Sequence, residues 1–377
     1  MRHKGLFTFI FAAVAVLALS SCGRHTASAP HDGDSLTFKY ARLLHVYRHA
    51  GWDEVRIDNP WRKGEALHTY CLVPKGAKRP KAPTGATVVS VPVERSVVFT
   101  SVHCGLLARL NALGAVKGVC DTRYILMPEV KDYIRKAGIA DMGQSFQPNV
   151  ERIIALNPDA LLVSPFANSG GYGKLGSAGL PLIECADYME TSALGRAEWM
   201  RFFGLLYGCS AKADSLFATV ENNYNNLKQQ AARTKSRPSL ICDLIQSGGW
   251  FAPGGKSTIG GIYKDAGANY LFGDNDDSGS VRLSPEAAVD KAQNADFWFI
   301  RSAGADNLTY YSLAEENILY TVFRPWTQKR IYACNTLRVP FFDEEPFRPD
   351  LMLRDLVMIM HPELGIKGKP RYFTPIK

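Results

Sequence analysis

The chain reads as an α/β protein: two parallel-sheet α/β lobes joined by one long rigid helix, with a β-rich N-terminal extension. Three observations carry that reading. A helix–strand unit occurs twice, with Glu151 and Glu286 at the same place in each copy, 135 residues apart. An apolar stripe at helical spacing runs through 212–233 without Pro or Gly. On both sides of it, short apolar runs alternate with helical ones, the rhythm of a parallel sheet with helical crossovers.

In chain order, Arg2, His3 and Lys4 precede an apolar run over 6–19. That run is too short to span a bilayer and reads as a signal-peptide core. It ends in Leu19-Ser20-Ser21-Cys22, a lipoprotein pattern. Residues 1–22 are therefore expected to be a lipoprotein signal peptide with Cys22 lipidated, and the mature protein to sit on the periplasmic side of a bacterial membrane. The small, polar stretch 23–35 suits a flexible tether. Residues 36–92 hold β-like runs at 43–47, 66–73 and 86–92, broken by Gly and Pro, and form the predicted extension.

The N-terminal lobe is predicted over 93–190. It starts with a compact strand at 96–100 and a helix capped by Ser101, with Leu106, Leu107, Leu110 and Leu113 on one face and Gly114 at its end. A strand at 116–120 follows, then the first copy of the repeated unit and a strand at 181–185. Asn149 caps that copy and Ser284 the second, where Pro285 takes the first helical position. Glu151 and Glu286 each stand two residues after the cap, where the helix dipole favours negative charge. Two readings are open for this repeat: ordinary α/β units with dipole-complementing acids, or two lobes presenting one acid each to a common partner.

A helical linker is predicted over 191–236. Within it Ala213, Leu216, Phe217, Val220, Tyr224, Leu227 and Ala231 make one apolar stripe, about 30 Å long by the helical rise. Arg237-Pro238 ends it, and 237–377 forms the C-terminal lobe, with a last helix near 351–360 stopped by Pro362.

Composition excludes several functions. An apolar content of 46% with 11% aromatics excludes a disordered chain. The net charge of +8 is scattered rather than blocked, so no nucleic-acid partner is expected. Seven cysteines follow Cys22 (Cys71, Cys104, Cys120, Cys185, Cys209, Cys242 and Cys334), with no C-x-x-C among them. They read as buried small hydrophobes. Of eight histidines only His103 and His361 fall in the lobes, too few for a three-His metal site, and no metal site is predicted. Ala252-Pro-Gly-Gly-Lys-Ser-Thr258 resembles a phosphate loop, but Trp250 stands where its first glycine is required. Ser257 there reads as a helix cap. No G-x-S-x-G or H-E-x-x-H is present, so no enzyme is expected.

The segments Arg95-Ser-Val-Val-Phe-Thr-Ser, Leu113-Gly-Ala-Val-Lys-Gly-Val and Pro148-Asn-Val-Glu-Arg-Ile-Ile-Ala-Leu-Asn-Pro-Asp-Ala-Leu-Leu-Val resemble the first lobe of helical-backbone periplasmic binding proteins. These are the substrate-binding components of ABC importers for ferric siderophores, haem and vitamin B12. Trp250-Phe-Ala-Pro-Gly-Gly-Lys-Ser, Ala266-Gly-Ala-Asn-Tyr, Leu283-Ser-Pro-Glu and Lys329-Arg-Ile-Tyr-Ala resemble the second lobe. The resemblance covers roughly 91–365. It implies that Glu151 and Glu286 dock on arginines of the importer's permease subunits, and it favours the common-partner reading of the repeat. The extension exceeds the family's usual short hairpin.

In parallel α/β lobes a cleft forms from loops at the strand carboxyl ends. On that rule the candidate ligand-binding residues are His103, Arg123, Tyr124, Phe146, Phe166 and Tyr172 in the first lobe. In the second they are Trp250, Phe251, Arg282 and Arg301, with Arg324 and Trp326 as further candidates. Arginine forks suit anionic oxygens and aromatic faces cover flat ligands. The expected ligand is thus an anionic iron complex of the ferric-siderophore kind, with cobalamin or haem as alternatives. No resident cofactor and a monomer are expected, and the partners are the permease, the ligand and the membrane. Two other classes stay open: an exported enzyme on this scaffold, and a surface interaction protein working through the extension.

Overall fold

The computed structural model describes residues 35–167 and 172–377. The expectations for the signal peptide, Cys22 and tether residues 23–34 lie outside these residues. Among the described residues no helix is long and apolar enough to cross a membrane.

The extension is a five-stranded sheet of Ser35–Leu36, Leu44–His49, Trp52–Asp58, Ala66–Pro74 and Thr87–Val91, in that order. Its pairs are antiparallel except the last, which is parallel. The strand Trp52–Asp58 was hidden in the sequence by its charges, yet Val55 and Ile57 are buried at alternate positions. Two buried glutamates fasten the extension to the body. Glu198 accepts the backbone N–H groups of Lys39, Tyr40 and Ala41 at 2.7–2.9 Å. Glu190 accepts those of Arg42 and Leu43, and the Trp199 indole N–H. Segment 39–43 is not itself a strand, so these carboxylates replace the sheet partners its amides lack.

The first-lobe sheet has the order Leu182–Glu184, Ala160–Val163, Ser96–Val98, Val116–Val119, Ala140–Asp141, all parallel. The second-lobe sheet has the order Asn269–Tyr270, Ser239–Cys242, Phe297–Ser302, Ile331–Asn335, with Thr374–Pro375 added antiparallel at the edge. Both copies of the repeat form as read. Asn149 caps Val150–Leu156, accepting from the Arg152 N–H, and Ser284 caps Pro285–Ala292, accepting from Ala287. The helix after the first strand differs in detail. It is Ser101–Arg109, capped by Thr100 rather than Ser101, and it stops before Gly114, which lies in the 3₁₀ turn Leu113–Ala115. Ser257 caps the helix Thr258–Asp265.

Between the lobes runs one unbroken helix, Ser210–Arg233, of 24 residues. Its buried face is Ala213, Phe217, Val220, Tyr224, Leu227 and Ala231, as the stripe predicts, with Leu216 partly buried beside it. Cutting one such aromatic back to alanine costs about 3–5 kcal/mol. A second junction forms where the helix Phe341–Glu344 packs on Ser101–Arg109. Asp343 Oδ2 accepts the backbone N–H groups of Leu126 (2.6 Å) and Met127 (2.8 Å), and Arg109 donates to Glu344. Gly105 permits this approach, since a Cβ there would stand 2.1 Å from the Asp343 carbonyl oxygen. The described cysteines are free thiols, all buried except Cys209.

Candidate ligand-binding cleft

In the first lobe the chain leaves Ser96–Val98 for strands on one side and returns to Ala160–Val163 on the other. The carboxyl ends of these two neighbours are therefore the switch point, where open α/β sheets bind ligands. A hollow of about 440 Å³ lies there, lined by Phe99 and Thr100 after one strand and by Val163, Ser164 and Phe166 at the end of the other. Phe146, at the tip of the hairpin Gly143–Gln144/Gln147–Pro148, and Tyr172 complete its aromatic wall. Phe146 is 79% and Phe166 61% exposed, which is costly surface for two phenylalanines unless something covers it. Beneath lies a small apolar cluster of Val97, Phe99, Cys120, Met142, Ile153, Leu161, Val163 and Leu175. Arg123 and Tyr124 stand exposed after Val116–Val119, with the guanidinium 4.5 Å from the ring centre.

By the same logic the second lobe's switch point lies between Ser239–Cys242 and Phe297–Ser302. Asp243, in the left-handed conformation an aspartate tolerates, follows the first and grips Arg301 of the second. Beside it is a three-stranded sheet of Ile245–Gln246, Gly249–Pro253 and Ser280–Leu283. Phe251 pairs across this sheet with Arg282, both exposed, with the guanidinium 5.9 Å from the ring centre. That strand runs straight into the Ser284 cap and Glu286, just as Gln147–Pro148 runs into Asn149 and Glu151.

Three predicted wall residues belong elsewhere. His103 is 2% exposed, bonded through Nδ1 to Thr100 Oγ1 (2.7 Å) and through Nε2 to Asp187 (3.0 Å), and stacked on Phe203. Its ring is consumed by packing and offers nothing to a ligand. Trp250 is fully buried among Trp298, Phe323, Tyr320 and Phe272, its N–H donated to the Cys242 carbonyl. Arg301 is committed to Asp243, so its fork is not a free anion site. Arg324 is likewise tied to Asp296 and the Ala295 carbonyl, and the Trp326 ring packs against Tyr310. Phe146, Phe166 and Tyr172 are brought together, while Arg123, Tyr124, Phe251 and Arg282 remain exposed around the strand ends. Among the described residues no three His, Cys, Asp or Glu side chains are grouped to hold a metal ion.

The family model for periplasmic binding proteins matches residues 106–323, more than half of the chain. The chain belongs to the periplasmic binding protein family. Its continuous inter-lobe helix is that of the helical-backbone class, the solute-binding components of ABC transport. An uncharacterised lipoprotein of Methanocaldococcus jannaschii is 26% identical over 342 residues, covering 88% of this chain and 80% of that protein. A periplasmic binding protein from Veillonella parvula has the same fold, with a TM-score of 0.59 at 15% identity over 73% of this chain and 92% of that one. So does a periplasmic haem-binding protein from Pseudomonas aeruginosa, with a TM-score of 0.59 at 15% identity over 76% and 98%.

In this binding protein the two repeat glutamates are exposed. Glu151 is 80% exposed with Lys174 at 3.9 Å, and Glu286 is held below the usual carboxylate range by hydrogen bonds from its own backbone N–H and from Ser284. Residues that sequence reasoning missed include Phe99 and Pro148 in the hollow, and Leu337 and Phe342, exposed apolar side chains that follow the carboxyl end of Ile331–Asn335. Phe342 was findable in the Phe341-Phe342 pair, of which a short helix buries only one.

Proposed function

We propose that this binding protein captures an iron complex carrying a flat apolar organic face and anionic oxygens, of the ferric-siderophore kind, and hands it to an ABC importer. The observation that carries this is the aromatic hollow at the first lobe's switch point, with exposed Arg123 and Arg282 on the rims of the two lobes. Aromatic faces cover the organic part, and the two arginines supply charge-assisted bonds to its oxygens. The pairing of Arg301 with Asp243 favours a second reading, a mostly aromatic site for cobalamin or haem; the structurally similar Pseudomonas aeruginosa protein is described as haem-binding. Titration of the purified protein with a ferric catecholate complex, haemin and cyanocobalamin, followed by calorimetry, separates them. The ferric complex is expected to bind tightest; tightest binding of cyanocobalamin would overturn the siderophore assignment.

Delivery follows from Glu151 and Glu286, one exposed carboxyl group in the first turn of an equivalent helix in each lobe, engaging permease arginines. Anchoring by a lipid on Cys22 agrees with the lipoprotein description of the Methanocaldococcus jannaschii relative. Cys22→Ala is expected to release the protein from the membrane fraction, and unchanged fractionation would refute the anchor.

A further inference from the structure

Tyr172 is the wall between two spaces. On one side it lines the aromatic hollow; on the other it lines a groove under the extension, shared with His68, Arg79, Thr87 and Glu184. Its backbone is left-handed, φ 58°, a costly conformation for a bulky residue, and Gly173 follows with φ 53°. Contacts must hold a ring placed in this way. The Tyr172 phenol donates to Glu184 Oε1 at 3.0 Å. Glu184 ends the edge strand of the first-lobe sheet, and the extension meets it there: its N–H donates to the Tyr70 phenol (2.9 Å), and His68 Nδ1 lies 3.6 Å from Oε2. His68 is fixed in turn by Thr87 Oγ1 at 2.7 Å, on the extension's last strand. Neither Glu184 nor His68 lines the hollow.

We propose that the extension is part of the binding machinery. Through His68, Tyr70 and Glu184 it sets the position of the Tyr172 ring in the ligand hollow, which makes Glu184 and His68 positioning residues for capture. Burial pushes the Glu184 carboxyl up and the Tyr172 hydrogen bond draws it down, so the bond is strongest where Glu184 is ionised.

The proposal rests on the reading of the hollow as the ligand site, and two readouts separate the two. The first needs no ligand: 3-fluorotyrosine is placed at position 172 and its fluorine resonance recorded in the full chain. Glu184→Gln, nearly isosteric, and His68→Ala are expected to shift and broaden that resonance, whereas Glu94→Gln, outside the groove, leaves it in place. An unmoved resonance in Glu184→Gln overturns the proposal. The second is the dissociation constant of a ferric catecholate complex. Tyr172→Phe and Glu184→Gln should each weaken it roughly tenfold, and the double variant no more than either single one. Additive losses, or unchanged affinity in Glu184→Gln with its melting temperature retained, overturn the positioning role. If the wild type does not bind the ferric complex, the ligand class fails, and the fluorine resonance alone decides the positioning.

Discussion

Both carboxylate oxygens of Asp243 accept from one edge of the Arg301 guanidinium, Oδ1 from Nε at 3.1 Å and Oδ2 from Nη2 at 2.5 Å, across the carboxyl ends of two neighbouring strands. The pair spans the second lobe's switch point, while the Arg282 guanidinium stands exposed over the Phe251 ring.

The two arginines should therefore fail differently. Arg301 is 22% exposed, so Arg301→Ala is expected to cost about 2 kcal/mol of stability, below the ~3–5 kcal/mol of a fully buried pair. Arg282→Ala should stay within about 0.5 kcal/mol of wild type. It should nevertheless weaken an anionic ferric complex far more than neutral cyanocobalamin. Urea unfolding and parallel titrations check both, and equal losses for the two ligands would remove the anion role of Arg282.

Glu151→Ala and Glu286→Ala should each leave stability within about 0.5 kcal/mol, because both side chains are exposed. Uptake in cells should fall in each and fall further in the double variant, since a permease arginine loses its mate in a desolvated contact. Normal uptake by the double variant sinks the docking assignment, whatever its ligand affinity.

The His103–Asp187 pair yields a pH test. Burial pushes the Asp187 carboxyl up, but His103 and Arg196 outweigh it and hold the group below the usual carboxylate range. A depressed folded value means a contribution fully present above the unfolded pKa of about 4 and lost as pH falls through the folded one. Asp187→Asn should cost about 3–5 kcal/mol at neutral pH, where it strands the buried His103 and the part-buried Arg196. Its melting-temperature deficit should shrink below about pH 4. A deficit that stays constant from pH 7 to pH 3 contradicts this account.

Glu198 offers a probe of how the extension is fastened. Charge-assisted bonds to three consecutive amides make Glu198→Gln worth about 1.5–3 kcal/mol. Hydrogen exchange should accelerate first at the amides of residues 39–41, and only later in Trp52–Asp58. Uniform acceleration along the whole extension would show that the glutamate is not a local clip.

The fold was readable because its signals are periodic. The stripe through Ala213 and Ala231, the caps Asn149 and Ser284, and the β rhythm on either side need only local rules. The site was readable in part, and the failures are periodic too. His103 lies three, four and seven residues before Leu106, Leu107 and Leu110, which places it on the leucine face of its helix. Trp250 and Phe251 are adjacent on one strand, so only one of them can face outward, and that one is Phe251. The commitment of Arg301 was not legible at all. Its partner lies 58 residues away, and only the sheet order makes Asp243 its neighbour.

The final prediction is mechanical. A hinge needs residues that absorb a backbone change, and the helix Ser210–Arg233 has neither Pro nor Gly to do so cheaply. The second junction stiffens the pair of lobes further, because Asp343 must release two backbone amides and Glu344 must release Arg109 before the lobes can part. Ligand binding is therefore expected to move the lobes little, and selectivity to come from the preformed hollow. Small-angle scattering profiles of the free protein and of the protein saturated with the ferric complex should superimpose. Asp343→Ala, which releases the two amides but leaves the Arg109–Glu344 pair and the helix intact, should loosen the free protein only slightly. A marked compaction of the wild type on binding would mean that the helix bends or the junction opens, and the rigid-lobe account would fall.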